Sequence, residues 1–236
     1  GSVNFLTLRN SQNILMAITP VLLMGLGQTF VIIAAGIDLA VGWVMGLASV
    51  ISALVIADFV ARGMGEVPAI VLGFIIGVIS AAIPGFINGV IIAKLRIPSF
   101  IVTLGMSFIA RGISLLLSGG NVVIGQPPGV RAFGNESLLY LISGEGGGLY
   151  FLQRPNVTGE VLQRLDRILP WPVVVTAIVV AIALFVLHKT QFGRHTYAIG
   201  GNREAAVRAG VPVDRHIIML YTLSGITCGI AGVLHT

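Results

Sequence analysis

The residues that could do chemistry are few in this sequence, and two of them are charges set among apolar residues. Asp38 lies in GIDLAVG between two apolar runs, and Arg111 lies well inside another. A charge near the centre of a membrane helix costs about 2.5–3.5 kcal/mol on insertion scales, so each position needs a reason. Asp38 is either a polar point on a solute path or the N-cap of a helix starting at Leu39, after Gly36 ends the previous helix. Arg111 either faces a wet cavity or has a structural role, with its side chain reaching the membrane interface.

A second informative segment is RHTYAIGGNREAAVRAGVPVDRHI, which contains four of the basic residues. Asn202 suits an N-cap, Glu204 complements the positive end of a helix, and Gly210 suits the position just past a helix end. The segment therefore predicts a short helix of about two turns. Two functions stay open for it, insertion into a groove of a partner and rest on anionic lipid headgroups. The residues singled out here are Gly200, Gly201, Asn202, Glu204, Ala205, Ala206 and Gly210.

Motifs of catalysis and of metal binding are missing from the sequence. A phosphate-binding loop needs GxxxxGK[ST], and neither Lys94 nor Lys189 has the glycines upstream. The sequence has no HExxH, no GxSxG and no paired carboxylates, and its single cysteine, Cys228, has no partner ligand nearby. We therefore predict no catalytic residue, no metal and no cofactor in this chain. The pI near 10 does not predict a nucleic-acid partner, because the 14 basic residues are spread too thinly to form a patch.

The elements that must position these residues are apolar helices. The chain is 56% apolar and only 10% charged, whereas soluble domains are about a quarter charged. Lipid is the solvent that fits this composition, so we predict an all-α, polytopic transmembrane helix bundle forming a single domain over 1–236. The six predicted spans are 14–36, 39–57, 67–93, 98–118, 170–187 and 217–236.

Basic residues predict the orientation of these spans. The excess of Lys and Arg in 188–216 places that segment in the cytoplasm, and the balanced segment 119–169 outside. Within the outer segment, the periodicity of 158–168 predicts a surface helix with Thr158 as its N-cap. Counting backwards places Arg9 outside, so we expect a further helix upstream; the alternative is that 14–57 is one span plus a re-entrant piece. Because the last span stops at Thr236 without a cap, we expect the chain to be a fragment of a longer subunit.

A solute path through such a bundle would use polar groups together with aromatic rings. Hydrogen bonding between neighbouring helices is the alternative explanation for each polar residue. The candidates for the path are Phe30, Asp38, Phe86, Asn88, Phe100, Thr103 and Arg111.

Three blocks of the sequence resemble a known family. TFVIIAAGIDLAVGWVMGL, NGVIIAKLRIPSFIVTLGMSFIARGISLLLSGG and FGRHTYAIGGNREAAVRAGVPVDR are similar to blocks of the permease subunits of bacterial ABC importers of the ribose/xylose/arabinose/galactose type. The third block also fits the EAA-x-x-x-G pattern of ABC importers, through Glu204, Ala205, Ala206 and Gly210. The resemblance implies that this short helix docks on an ATPase subunit. The long Gly-rich loop at 140–157 departs from the family pattern.

The resemblance implies a non-catalytic permease subunit that moves a monosaccharide or similar small polyol across the bacterial inner membrane. ATP and Mg would be bound by a separate ABC ATPase subunit. The other implied partners are a periplasmic sugar-binding protein, a second permease copy in a homodimer or heterodimer, and membrane lipid. Further helices would precede and follow this chain. An ion-coupled secondary transporter of a small polar solute is the main alternative, and a non-transporting receptor or scaffold is a third.

Overall fold

The computed structural model describes residues 7–142, 144, 147–152, 154–156 and 165–236. Six of the described helices are long and apolar enough to cross a membrane, in agreement with the predicted number and fold class. These six are Leu8–Ile33, Val41–Ala61, Glu66–Leu95, Ser99–Ser118, Trp171–Lys189 and Val213–Leu234. The described elements, in chain order, are α1 (Leu8–Ile33), α2 (Val41–Ala61), α3 (Glu66–Leu95), α4 (Ser99–Ser118), α5 (Pro128–Asn135), β1 (Leu139–Ile142), β2 (Gly148–Phe151), β3 (Leu165–Arg167), α6 (Trp171–Lys189), α7 (Gln191–Gly201), α8 (Arg203–Arg208) and α9 (Val213–Leu234).

The helix boundaries differ from the predicted ones where local capping, rather than hydropathy, sets them. α1 begins at Leu8, before the apolar run starts, because the Thr7 side chain accepts a 3.2 Å hydrogen bond from the Asn10 N–H. α9 begins at Val213, four residues earlier than 217, because Pro212 directly precedes the first helical turn. Hydropathy alone placed both starts too late, since polar residues occupy these first turns.

α9 is the central helix of the bundle. In its apolar window 61% of the residues are buried, against 17–33% in the other five spanning helices. Glycines let it approach α3 closely: a Cβ at Gly85 would lie 2.3 Å from the Tyr221 carbonyl oxygen, and a Cβ at Gly225 would lie 2.5 Å from that of Ala81. Backbone contact of this kind is how small residues stabilise helix pairs in lipid. The core therefore lies where α9 meets α3, α2 and α1.

Ion pairs and a hydrogen bond show which helix ends lie together at each end of the bundle. At one end Asp214 lies 3.9 Å from Lys94 and 3.8 Å from Arg203, joining α9, the end of α3 and α8. At the other end the Gly129 N–H donates to Glu66 Oε2 over 3.2 Å, which joins α5 to the start of α3. These contacts place Lys94, Arg203 and Asp214 at one end of the bundle and Glu66 and Gly129 at the other. Which end faces the cytoplasm remains a prediction from the basic residues.

The segment 119–169 is not the loop with one surface helix that the sequence predicted. It contains α5 and a three-stranded antiparallel sheet in the order β2-β1-β3, in which Tyr140 of β1 pairs with Tyr150 and Arg167. The predicted helix over 158–168 is wrong at its end, because Leu165–Arg167 form β3. Pairing with the backbone of β1 outweighs the helical periodicity there. Thr158 and the rest of 157–164 lie outside the described residues.

Candidate functional site

The chain between α1 and α2, residues 34–40, folds back alongside the last turns of α1 instead of making a short turn. We name it the return segment. α1 ends in a Schellman motif, in which the Gly36 N–H donates to the Val31 carbonyl and the Ala35 N–H to the Ile32 carbonyl, both over 2.9 Å. Ala35 occupies the left-handed position of this motif with φ +61°. Further along the segment, the Gln28 amide faces the backbone of Asp38; with its NH₂ group assigned to the side of the Asp38 C=O, it donates to that carbonyl and accepts from the Asp38 N–H, each at 3.3 Å.

Side chains from α4 and α9 satisfy the backbone of the return segment. The Ile37 N–H donates to Ser99 Oγ over 3.1 Å, and the Ile37 carbonyl accepts from the Tyr221 hydroxyl over 3.3 Å. The Leu39 N–H donates to Thr103 Oγ1 over 3.0 Å. Irregular backbone inside a membrane bundle persists only where such partners replace water. The return segment is therefore held by hydrogen bonds from both sides.

Asp38 carries the charge of this site and is only 5% exposed. Its Oδ1 accepts from the Ala40 N–H over 3.0 Å, and its Oδ2 accepts from the Ser224 hydroxyl over 2.8 Å. The predicted N-cap role needs correction, because α2 begins at Val41 rather than Leu39 and its N-cap residue is Ala40. The carboxylate caps the turn just before the helix, where the positive end of the α2 dipole also favours it.

Only part of the predicted path set comes together at the return segment. Thr103 is fully buried in the hydrogen-bonded cluster beside Asp38. Asn88 is also fully buried, on the face of α3 that packs against α9, and neither atom of its amide group has a hydrogen-bond partner among the described residues. Four residues that hydrogen-bond to the return segment were absent from the predicted path set: Gln28, Ser99, Tyr221 and Ser224. Polar side chains within apolar helices are the signal that could have found them.

The aromatic candidates and Arg111 lie elsewhere. Phe30 is 1% exposed and packs with Leu187 and Leu220 in the core. Phe86 and Phe100 are half exposed on the outer surface of the bundle, at 52% and 50%. Their placement gives the path assignment no support within this chain.

Arg111 lies over the ring of Trp43, with its guanidinium carbon 4.9 Å from the ring centroid. This cation–π contact joins α4 to α2 and gives the charge a local partner. The geometry favours the structural role over the solute path.

A cavity of about 210 Å³ lies beside the return segment. Ala34, Ala35 and Gly36 form one wall, and Ile217, Leu220 and Tyr221 of α9 form another. The link between α3 and α4 contributes residues 96–98, including Arg96, and the first residue of α4 contributes Ser99. Its polar groups are the Ser99 and Tyr221 hydroxyls, with the Arg96 and Arg203 guanidinium groups. Neutral hydroxyls of this kind can exchange hydrogen bonds with a polyol.

The second part of the site is α8, whose two ends are capped as the sequence predicted. The Asn202 side chain accepts from the Ala205 N–H over 2.9 Å. Past the other end, Gly210 adopts φ +80°, with Schellman bonds from the Gly210 N–H to the Val207 carbonyl and from the Val211 N–H to the Ala206 carbonyl, both over 3.0 Å. A helix of only two turns is marginal alone, so these caps matter to its existence.

Within α8 one side chain is buried against the bundle, and the others are exposed. Ala206 is 4% exposed and packs in a cluster with Ile92, Ile199 and Val213. Glu204 and Arg208 point outward and form an exposed ion pair at 3.7 Å, which contributes little to stability. Ala205 and Val207 are also exposed. Of the two predicted contact alanines, Ala205 is therefore available to a partner, whereas Ala206 holds the helix in place.

No cluster of three or more His, Cys, Asp or Glu side chains that could hold a metal ion occurs within the part of the chain that the structure describes.

Comparison with known proteins identifies relatives over nearly the whole chain. Residues 10–236 match the family described as branched-chain amino acid transport system / permease component. The chain is 31% identical to the ribose import permease protein RbsC of Escherichia coli (strain K12) over 233 residues, which are 99% of this chain and 63% of that protein. It is 33% identical to the xylose transport system permease protein XylH of Haemophilus influenzae, over 98% of this chain and 68% of that protein.

It is also 36% identical to the fructose import permease protein FrcC of Rhizobium meliloti, over 93% of this chain and 53% of that protein. The chain thus spans less than two thirds of the length of the ribose and fructose permeases. No solved structure matches it. With a family match over residues 10–236 and six helices able to cross a membrane, the chain belongs to the family of branched-chain amino acid transport system permease components and is a multi-pass protein of the inner membrane.

Proposed function

We propose that this chain forms part of the non-catalytic permease subunit of an ATP-binding-cassette importer that carries a monosaccharide or similar small polyol into the cytoplasm. The family match and the sugars named in its relatives, ribose, fructose and xylose, support the solute class. Hydroxyl groups hydrogen-bond to the return segment, and two hydroxyls and two guanidinium groups line the cavity beside it; all of them can exchange hydrogen bonds with a polyol.

The observation that carries the proposal is the construction of α8. Caps at both ends and one buried alanine fix this helix at the end of the bundle, while Glu204, Ala205, Val207 and Arg208 remain exposed. Val207, which is apolar and 57% exposed, lies on this same surface beside the small Ala205. We propose that an ABC ATPase subunit, with ATP and Mg bound to it, docks on this face.

The remaining partners follow from the same assignment. A periplasmic sugar-binding protein would deliver solute at the opposite end of the bundle, which carries α5 and the three-stranded sheet. A second permease copy would complete the path, in either a homodimer or a heterodimer. ATP-driven movement of α8 would then alternate the access of the return segment between the two sides.

The test uses the full permease that contains this chain, reconstituted in proteoliposomes with its ATPase and binding protein. Ala205→Arg places a long charged side chain on the exposed face of α8, and Ala61→Arg makes the same change at the opposite end of the bundle. We expect Ala205→Arg to lower ATPase co-purification and ATP-driven uptake of labelled ribose, fructose or xylose at least tenfold, with normal membrane insertion. Ala61→Arg should leave ATPase co-purification unchanged.

Two results would contradict the proposal. Normal ATPase recruitment by Ala205→Arg would exclude α8 as the docking helix. Uptake that follows an imposed ion gradient without ATP would instead establish the ion-coupled carrier, and an absence of flux with any energy source would establish a receptor or scaffold.

A further inference from the structure

We propose that α7 is a rigid lever between the docking helix and the return segment, and that Gly200 and Thr196 are the positioning residues that attach it. This inference rests on the proposed function, because it concerns how movement of α8 reaches the proposed solute path. Nothing in the family match or in the names of the relatives assigns a role to either residue.

A single residue, Asn202, joins α7 to α8. Asn202 is at once the C-cap of α7 and the N-cap of α8. Its backbone N–H donates to the Ala198 carbonyl over 3.1 Å, and its side chain accepts from the Ala205 N–H over 2.9 Å. One residue thus hydrogen-bonds to both helices. Because only Asn202 separates the two helices, a displacement of α8 would move α7 directly.

At Gly200 the backbone of α7 contacts the backbone of α1. A Cβ at this position would lie 1.7 Å from the Ile33 carbonyl oxygen and 2.9 Å from its carbon, so only glycine fits. Ile33 is the last residue of α1, directly before the return segment. No flexible side chain separates the two helices here, and backbone contacts of this kind cannot yield by changing a rotamer. By contrast, a Cβ at the adjacent Gly201 would have no neighbour within 4 Å among the described residues.

A buried hydrogen bond between Thr196 and His216 attaches α7 to α9. Thr196 is fully buried and its hydroxyl donates to the Phe192 carbonyl over 2.9 Å, so it accepts from Nε2 of His216, also at 2.9 Å. The His216 ring, 1% exposed, packs against Phe192 with ring centroids 4.4 Å apart. His195, an ionisable group that faces His216, lies with its ring centroid 5.8 Å away.

These attachments lie on both sides of the return segment. Gly200 contacts the end of α1, which leads into the segment, and His216 is within about one turn of Ile217 and Leu220 in the helix that carries Tyr221 and Ser224. A tilt of α7 would therefore displace α1, which leads into the return segment, and α9, which hydrogen-bonds to Ile37 and Asp38. Tightly packed contacts of this type shift between discrete arrangements rather than deform smoothly.

The experiment compares two glycine substitutions in the full permease assembled with its ATPase and binding protein. Gly200→Ala inserts a methyl group between α7 and α1, whereas Gly25→Ala adds one to α1 where no described atom lies within 4 Å. We expect Gly200→Ala to retain ATPase binding and ATP hydrolysis but to lower the sugar transported per ATP at least tenfold. Gly25→Ala should match the wild type in both quantities.

A second readout reports on the return segment itself. In a background with Cys228→Ala, a cysteine is introduced by Ile97→Cys, in the wall of the 210 Å³ cavity. We expect the rate of its reaction with a maleimide to change several-fold on ATP addition in the otherwise wild-type complex. Gly200→Ala should abolish that ATP-dependent change, which a general loss of stability would not do selectively.

Thr196→Val decides the question if Gly200→Ala fails to insert. It removes the hydroxyl that binds His216 at nearly constant volume, and Thr29→Val, whose hydroxyl bonds to Gly25 of its own helix, is the matched control. Loss of transport per ATP in Thr196→Val, but not in Thr29→Val, supports the lever. Wild-type transport by an inserted Gly200→Ala, or by Thr196→Val where Gly200→Ala does not insert, overturns it. A wild-type complex that neither recruits an ATPase nor transports sugar refutes the proposed function instead.

Discussion

The Ser224 hydroxyl donates a 2.8 Å hydrogen bond to Oδ2 of Asp38, joining the middle of α9 to the return segment across 186 residues of sequence. Both side chains are buried, Ser224 completely. This bond and the one from the Ala40 N–H account for both oxygens of the carboxylate. Within the described part of the chain, hydrogen bonds rather than a basic partner hold the charge, which makes the pair a sensitive test of the whole cluster.

Asp38→Ala should destabilise the protein by several kcal/mol, because it leaves the Ala40 N–H and the Ser224 hydroxyl without acceptors, at about 1–3 kcal/mol each. Apparent melting temperature in detergent measures the effect. A double-mutant cycle with Ser224→Ala should give a coupling energy of about 0.5–3 kcal/mol. Asp58→Ala, which removes an exposed ion pair with Arg62, is the control and should change little. Additive effects of Asp38→Ala and Ser224→Ala would show that the bond is not important.

Thr103→Val should lower stability by about 1–3 kcal/mol, because the Leu39 N–H would lose its acceptor beside a fully buried side chain. The change keeps the volume of the side chain, so any loss reports the hydrogen bond. Thr29→Val is the matched control, since its hydroxyl bonds within α1 to Gly25 and lies outside the buried cluster. Equal melting temperatures for the two variants would contradict the prediction.

Ala35→Gly should raise stability, by about 1 kcal/mol, because an L-residue at φ +61° is strained by about 1–2 kcal/mol and glycine is not. The gain is reduced by the greater freedom of glycine in the unfolded chain. Ala57→Gly, inside α2, makes the same chemical change in a regular helix and should lower stability by about 1 kcal/mol. Opposite signs for the two variants in a melting experiment confirm the left-handed position. A lower melting temperature for Ala35→Gly would contradict it.

Gly85→Ala should strongly destabilise the bundle, because its methyl group would lie 2.3 Å from the Tyr221 carbonyl and force α3 and α9 apart. Gly105→Ala in α4 has no described atom within 4 Å of the added methyl group. That variant should be neutral or more stable by up to about 1 kcal/mol from helix propensity. Thermal unfolding of both variants in the same detergent gives the comparison, and similar melting temperatures would refute the close approach of the two helices.

The features that the sequence predicted well are those with local causes. The six apolar helices follow from hydropathy over some 20 residues, and the caps of α8 follow from the chemistry of Asn202 and Gly210. The predicted spans also contain four glycine pairs at GxxxG spacing, and three of them, at 73/77, 85/89 and 225/229, lie at close contacts between helices. At the fourth pair, Gly42 with Gly46, an added Cβ would meet no other described part of the chain within 4 Å. Spacing alone cannot show which face of a helix meets a neighbour.

The features that the sequence missed depend on contacts between distant residues. Leu39 and Ala40 look like the start of α2 because they are apolar, but Ser99 and Tyr221, 62 and 184 residues from Ile37, hold this backbone outside the helix. The strands of 139–167 are only three or four residues long and pair with one another. They are too short to show the alternation of apolar and polar residues that would predict strands. Gly200 gave no sign of its contact with Ile33, because a glycine near a helix end has many explanations.

The depth at which α2 begins has an electrical consequence. Ala40 and Val44 pack with Ala81, half-way along α3, so the polar return segment reaches about the middle of the bundle. Water that fills the cavity beside it leaves an insulating layer of about 15 Å in place of about 30 Å. A membrane voltage would then fall over that thinner layer, at about 2.3 kcal/mol per 100 mV for each charge that crosses. Under the proposed function, an uncharged sugar would cross this steep field without electrical work, whereas the field would drive or oppose any ion that accompanied it.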